Sequence, residues 1–225
     1  MFLFIINFLL HSLNGFRILD VGCGDCYFLK KIKQKYPLSI LHGIDIIYNS
    51  KCKCDGIDHI IYDGTHWPKN LGKFSTIFCM NVMYHITDKA NLINHFLHAL
   101  DENGTIIITT KSNKNLQNLE RIHTKACELL RLDPNIKGNL VSEFCSENSQ
   151  IILSKILRGT GKRIKQKFNL CSTIIASNKE ELKKYFSSCY RYSINRSDYK
   201  RITEKLIDDY DIFVDYHIEQ VIVIG

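Results

Sequence analysis

Proline is scarce in this chain, with 3 residues among 225. No segment has the composition of a flexible linker or of low-complexity sequence, and no internal repeat is visible. These absences exclude a long disordered region and a solenoid architecture. With 45% hydrophobic and 24% charged residues, the composition is that of a globular protein. We predict a single domain over residues 1–225.

Long apolar runs are also missing, and we therefore predict no membrane span. The first ten residues, M-F-L-F-I-I-N-F-L-L, lack the basic start and the cleavage site of a signal peptide. We interpret them as a short helix over a sheet edge, or as a truncated start. The nine cysteines, an odd number without secretory context, predict reduced thiols and a cytoplasmic location.

Short apolar runs alternate with amphipathic segments along the first half of the chain. Strands are predicted at 16–21, 39–46, 57–62, 74–82 and 105–110, and helices at 25–35 and 89–100, with a turn at 101–104. This alternation predicts an α/β fold with a doubly wound, mostly parallel sheet.

The second half of the chain has a different rhythm. Helices are predicted at 115–132, 148–157 and 177–186, and strands at 190–194 and 217–224. We expect those two strands to close the sheet as an antiparallel edge. Residues 113–170 would then lie above the strand ends as a helical lid or insertion.

Polar residues follow four of the apolar runs, where each predicted strand ends. They are Asp20 to Gly24, Asp45, Asp63 and Asn81 to His85. Ligands of open α/β sheets bind beyond the carboxyl ends of the strands, so these residues predict the binding site.

The stretch from Ile18, I-L-D-V-G-C-G-D-C, places two glycines between a strand and a helix. Such a turn offers free backbone N–H groups and close approach to a nucleotide. A dinucleotide fingerprint needs a third glycine where this chain has Tyr27, and no G-K-[ST] of a phosphate loop follows. The turn therefore predicts neither NAD nor ATP chemistry.

Three carboxylates replace a phosphate clamp at this site. Asp45 can accept both ribose hydroxyls, and Asp63 can accept from an adenine amine. Asp20 places negative charge beside the turn, which suits a cationic ligand and repels pyrophosphate. An adenosine that carries an amino group and a sulfonium fits this set.

Successive motifs also resemble those of class I S-adenosylmethionine-dependent methyltransferases. They are D-V-G-C-G-D-C (20–26), G-I-D-I (43–46), Asp63-Gly64, M-Y-H-I-T-D (83–88) and D-E-N-G-T-I-I-I-T-T (101–110). The resemblance covers residues 16–112 and weakens over 113–170; residues 177–186 resemble the helix that precedes the last two strands. It implies the Rossmann-like fold of that class and S-adenosyl-L-methionine as cofactor.

The resemblance also implies roles for individual residues. Cofactor-binding roles fall on Asp20, Gly22, Cys23, Gly24, Asp45, Ile46, Asp63, Gly64 and Asn81. Tyr84 and His85 would face the methyl acceptor. His85 is open to two interpretations, a general base or a histidine that shapes the pocket.

A zinc site is the competing interpretation of the cysteines. Cys23 and Cys26 have C-x-x-C spacing and could join Cys52 and Cys54. We favour no metal, because Cys23 lies in the cofactor turn and C-x-C is poor zinc spacing. A redox pair is disfavoured for the same location.

The sequence thus predicts an enzyme that moves a methyl group to an O, N or C atom of a small-molecule or glycan-type acceptor. One alternative is a tRNA or rRNA methyltransferase that uses the basic residues of 158–167. Nucleic acid is less favoured, since no aromatic residues interleave with those lysines. Another alternative is a cofactor-binding pseudo-enzyme or accessory subunit.

Overall fold

The structure is a computed structural model, and it describes residues 15–46, 56–62, 67–68, 71–136, 140–176, 178–189, 192 and 194–225. The predicted N-terminal helix lies outside the described residues. Within them, strands are β1 Arg17–Val21, β2 Ile40–Asp45, β3 Ile57–Ile61, β4 Phe74–Met80, β5 Leu100–Lys111, β6 Ile164–Ala176 and β7 Phe213–Ile224. Helices are α1 Tyr27–Lys35, α2 Lys89–Ala99, α3 Gln117–Leu130, α4 Ser149–Ile156, α5 Lys179–Ser188 and α6 Ser197–Asp208.

The seven strands among the described residues form one sheet in the order β3-β2-β1-β4-β5-β7-β6. Strands β1 to β5 pair in parallel, and β7 pairs antiparallel with both β5 and β6. The prediction of a doubly wound, mostly parallel sheet with an antiparallel last strand is therefore confirmed. Because β1 lies between β2 and β4, the carboxyl ends of these three strands meet at one edge.

Apolar side chains cover both faces of the sheet. One core cluster joins β1, β4 and β5 to α2 and α4 around Phe74 and Phe96. The other joins the opposite face to α1 around Phe28 and Phe78. A third cluster packs α3, α5 and α6 together. The inner parallel strands β1, β2 and β4 are buried on both faces, which explains their mostly apolar sequence, whereas the edge strand β3 is partly exposed.

The structure differs from the prediction at the last two strands. No strand occurs at the described positions of 190–194, where Tyr192 lies in a single helical turn; β6 instead precedes α5. The helix predicted at 177–186 therefore lies between β6 and β7 rather than before two strands, and Asn178 caps it by accepting from two backbone N–H groups. Residues 164–170, the end of the predicted lid, belong to β6.

The turn predicted at 101–104 lies within β5. Phe74 pairs with Leu100 and Thr76 pairs with Thr105, so four residues of β5 face one of β4. This irregularity bulges the strand without ending it. The turn-forming residues thus produce a bulge, because the flanking residues stay paired with β4.

Candidate active site

The loop after β1 requires glycine at two positions. Gly22 and Gly24 have φ of +76° and +57°, which side chains rarely adopt. A Cβ on Gly22 would lie 2.2 Å from a methyl carbon of Val82, two residues after β4. The N–H groups of Gly22 and Cys23 donate to the carbonyl of Ile44, at 2.8 and 3.2 Å. The turn is therefore fixed against both neighbouring strands.

Asp45, the last residue of β2, is tied to this turn. Its Oδ2 accepts a hydrogen bond from the Gly24 N–H at 2.8 Å. Ile46 follows with an exposed side chain at the same sheet edge, where an apolar ring could pack on it. Asp63 and Gly64, the predicted adenine contacts, lie outside the described residues.

Asp20 is the buried acid of the site. Burial, and then the charge of Asp45, raise its pKa from 3.8 to about 7. Its Oδ1 has no hydrogen-bond partner among the residues that the structure describes. A buried carboxylate oxygen without a partner is costly unless a ligand supplies the donor or the positive charge. The position therefore fits the cationic part of the predicted cofactor.

Asn81 follows β4 in the left-handed region, at φ +58°. Its N–H donates to the Thr109 carbonyl at 3.1 Å, and its Nδ2 donates to Oε1 of Glu219 at 2.6 Å. Asparagine tolerates this backbone conformation better than most residues. The predicted cofactor residue is thus held in place from β5 and β7.

Glu219 is a site residue that the sequence reasoning missed. It is almost fully buried, yet its pKa is lowered, because hydrogen bonds that include those from His217 and Asn81 outweigh the effect of burial. His217 Nε2 lies 3.4 Å from its Oε2. No local signal singles it out, since the final strand also carries Asp215, His217 and Gln220.

Tyr84 and His85 lie in the 3₁₀ turn Met83–His85, just after β4. Burial, and then the charge of Glu219, raise the pKa of Tyr84 to about 12, so its hydroxyl stays protonated. Burial, and then the charge of Lys111, lower the pKa of His85. A neutral imidazole at neutral pH can accept a proton.

A cleft of about 380 Å³ opens beside this turn. Tyr84 and His85 line it, whereas Asp20, Gly22 and Asp45 do not. Its other walls come from the end of β5, from the start of α3 and from the 3₁₀ turn Leu140–Glu143; they include Lys111, Asn113, Glu120, Leu140 and Tyr192. The cleft is therefore lined by the two residues predicted to face the methyl acceptor and not by these predicted cofactor residues.

A family described as "Methyltransferase domain" matches residues 4–144. That range contains β1 to β5, the glycine turn and the Met83–His85 turn. The chain belongs to this methyltransferase family. The predicted family is confirmed, and so are the class I fold and S-adenosyl-L-methionine as the cofactor. The roles of the individual site residues stay predictions.

Among its relatives, a tRNA U34 carboxymethyltransferase of Sulfurimonas denitrificans is 30% identical over 107 residues, 44% of this chain and 36% of the relative. A malonyl-[acyl-carrier protein] O-methyltransferase of Ilyobacter polytropus is 28% identical over 149 residues, 63% of this chain and 55% of the relative. The chain thus spans about a third to a half of the length of these relatives.

Among solved structures, a SAM-dependent methyltransferase from Geobacter sulfurreducens in complex with S-adenosyl-L-homocysteine resembles the chain, with a TM-score of 0.54. The similarity covers 100% of this chain and 90% of that one at 14% sequence identity. At this identity the likeness concerns the fold. No helix in the described part of the chain has the length and apolarity needed to cross a bilayer.

Proposed function

We propose that this protein is an S-adenosylmethionine-dependent methyltransferase that acts on an O, N or C atom of a small-molecule or glycan-type acceptor. The observation that carries the proposal is Asp20, a buried carboxylate with a partnerless oxygen beside a glycine turn. A permanent positive charge on the ligand favours the ionised form of this group. Family membership supports the same conclusion.

The proposed cofactor-binding residues lie at the ends of three strands, β1, β2 and β4. Asp20, Gly22, Cys23 and Gly24 hold the methionine portion. Asp45 keeps one oxygen on the Gly24 amide and offers the other to the ribose. Asn81, whose Nδ2 is fixed by Glu219, lies beside the sulfur and has an Oδ1 without a partner among the described residues.

When bound, the cofactor supplies a methyl group activated by its sulfonium. The acceptor side of the site must orient a nucleophile toward that methyl group and exclude water, which supplies much of the rate. We assign His85 to take the proton of an acceptor hydroxyl or amine. Tyr84, held protonated, donates a hydrogen bond or lines the site.

The cleft supports an acceptor of small-molecule size. About 380 Å³ lies at the lower end of the range of small-ligand pockets, about 300–1,000 Å³. Lys111 and Glu120 place one charge of each sign in its wall, among amides and apolar side chains. This mixed lining suits an acceptor with several hydroxyl or amide groups.

The relatives leave the acceptor class open, since one is named for tRNA and another for an acyl-carrier protein. The basic residues of 158–167 do not line the cleft. At the start of β6, Ile164 pairs with Ile224 of β7, and Ile224 pairs in turn with Ile106 of β5. The cleft is instead lined by Lys111, at the other end of this paired part of β5. Ile106 and Lys111 are five residues, about 17 Å, apart along β5, so the start of β6 does not line the cleft.

Some of these lysines also have local partners. Lys162 Nζ donates to the Glu102 carbonyl at 2.8 Å, and Lys167 donates to Gln150. We therefore retain a small-molecule acceptor in the proposal. A methyl-transfer assay distinguishes an active enzyme from a cofactor-binding pseudo-enzyme. We further propose a single domain, in which the start of α3 and the Leu140–Glu143 turn cover the cleft whereas α4 packs against the sheet, and a cytoplasmic location.

Isothermal titration calorimetry with S-adenosylhomocysteine tests the cofactor site. We expect binding that Asp45→Ala weakens severely, and an unchanged affinity would refute the assignment. Release of S-adenosylhomocysteine from labelled cofactor, with hydroxylated small molecules and bulk tRNA as acceptors, tests the transfer. Tight cofactor binding without transfer to any acceptor class would favour the pseudo-enzyme, whereas salt-sensitive methylation of tRNA would favour the RNA alternative.

A further inference from the structure

The side chains behind the glycine turn form a cluster that methyl transfer does not use. Cys23 Sγ and Cys26 Sγ lie 3.5 Å apart. His59 brings a ring nitrogen to the same place, and the three ligand atoms all lie within 4.8 Å of one another. Tetrahedral zinc with Zn–S bonds of about 2.3 Å separates two thiolates by about 3.8 Å, close to the observed spacing.

The fold explains why these three side chains meet. A Cβ on Gly43 would lie 2.8 Å from the Cys23 sulfur, so that sulfur sits over the glycine of β2. In the parallel pairing of β2 and β3, His59 lies opposite Gly43. Cys26 is the N-cap of α1, which covers this face of the sheet. The three side chains therefore come from the glycine turn (Cys23), from β3 (His59) and from the start of α1 (Cys26).

Cys26 has an unusual backbone for a residue with a side chain. Its φ of +57° lies in the left-handed region, where a non-glycine residue costs about 1–2 kcal/mol. Glycine would remove that cost, yet the chain has cysteine with a fully buried side chain. A strained residue in a functional loop motivates the hypothesis that its side chain has a use.

We propose that Cys23, Cys26 and His59 bind a Zn²⁺ ion that ties the cofactor turn to β3. Two thiolates neutralise the ion, so the complex can be buried among the apolar side chains of Phe28, Leu29 and Ile57. The C-x-x-C spacing is that of zinc sites, and three protein ligands leave a fourth position open. This proposal revises our sequence-based preference for no metal; Cys52 and Cys54, considered there, lie outside the described residues.

Metal analysis of the full-length protein tests the site. After incubation with Zn²⁺ and gel filtration, we expect about one ion per chain, and Co²⁺ should give a thiolate-to-metal charge-transfer band. Cys26→Gly should abolish both signals while fitting the left-handed backbone, so loss of folding does not explain the result. His59→Gln should lower the metal content and change the Co²⁺ spectrum.

Two variants serve as matched controls. Cys127→Ser removes a buried cysteine elsewhere, and His98→Gln removes an exposed histidine; both should keep the ion. Absence of bound Zn²⁺ in the wild type overturns the proposal, as does retention in Cys26→Gly. A Cys23–Cys26 disulfide in place of metal, seen by mass spectrometry, would show a redox pair instead. Loss of metal in a Cys52→Ser/Cys54→Ser variant but not in Cys26→Gly would also overturn it.

Discussion

The backbone amide of Gly24 donates to the carboxylate of Asp45 across 2.8 Å, and this bond joins the turn after β1 to the end of β2. Burial, and then the charge of the same carboxylate, raise the pKa of Asp20, the acid at the end of β1. Asp45 thus holds the turn in shape and adds to the raised pKa of its neighbour. The two halves of the predicted cofactor site are coupled before any ligand arrives.

Asp45→Asn separates these roles of the carboxylate. An amide oxygen can still accept from Gly24, but the negative charge is lost. In Asp45→Asn we expect the affinity for S-adenosylhomocysteine to fall about tenfold. In Asp45→Ala we expect a fall of about a hundredfold, because the bond from Gly24 and the proposed bond from the ribose are both lost. Calorimetry checks both values. Asp58→Asn, an exposed acid on neighbouring β3, is the control, and an equal effect there would contradict the site.

Asp20 predicts an unusual pH dependence of stability. Its folded pKa of about 7 exceeds its ordinary 3.8, so between these values the folded protein keeps a proton that the unfolded chain has lost. Stability therefore falls as pH rises through this window. At about 1.36 kcal/mol per pKa unit, the full loss is on the order of 4 kcal/mol.

Thermal unfolding of ligand-free wild type and Asp20→Asn between about pH 4 and 7, the window in which the folded and unfolded states differ in protonation, measures this effect. We expect Asp20→Asn to gain stability relative to wild type as pH rises, while its affinity for S-adenosylmethionine falls. Parallel stability curves would contradict a raised pKa. A cationic ligand should stabilise wild type more at high pH than at low pH.

Gly22→Ala should destabilise the protein by a few kcal/mol, because its Cβ would meet Val82 at 2.2 Å and its φ is +76°. The double variant Gly22→Ala/Val82→Ala should recover part of the loss, since the clash is relieved and the backbone strain remains. In Gly24→Ala no atom of the described residues, beyond the two chain neighbours, would lie within 4 Å of the new Cβ, so the substitution should cost only about 1–2 kcal/mol. Chemical denaturation measures all three, and no recovery in the double variant would contradict the clash.

The inner parallel strands could be predicted from sequence because they are buried on both faces. The apolar runs of β1 and β2 end at an acid or a glycine, as in Ile18 to Gly22, which marks both the strand and the site. The cofactor turn followed from the same stretch. Such positions carry local signals that do not depend on distant partners.

Strand β6 could not be predicted in this way. It is an edge strand, its side chains are mostly exposed or half-buried, and it begins with I-K-Q-K. What makes it a strand is the long antiparallel pairing with β7, from Ile164 opposite Ile224 to Ala176 opposite Phe213. That pairing is a property of the assembled sheet. The same holds for Glu219, whose partner Asn81 is 138 residues away.

Asn81 and Glu219 give the last prediction. Asn81→Gly keeps the left-handed backbone favourable and removes the amide that donates to the buried carboxylate. A hydrogen bond to a charged group contributes about 1.5–3 kcal/mol, and we expect a loss of that size at neutral pH.

The loss should shrink in acid. The pKa of Glu219 in the folded protein lies below its ordinary 4.5. The hydrogen bond therefore contributes its full stability above pH 4.5, and this stability is lost as pH falls through the folded pKa. Glu219→Gln leaves an oxygen for Asn81 and removes the charge, so adding Asn81→Gly to it should cost less than in the wild type. Unfolding free energies of the four proteins of this double-mutant cycle, measured at neutral and acid pH, give the coupling directly. Additive effects at neutral pH would show that the carboxylate does not depend on Asn81.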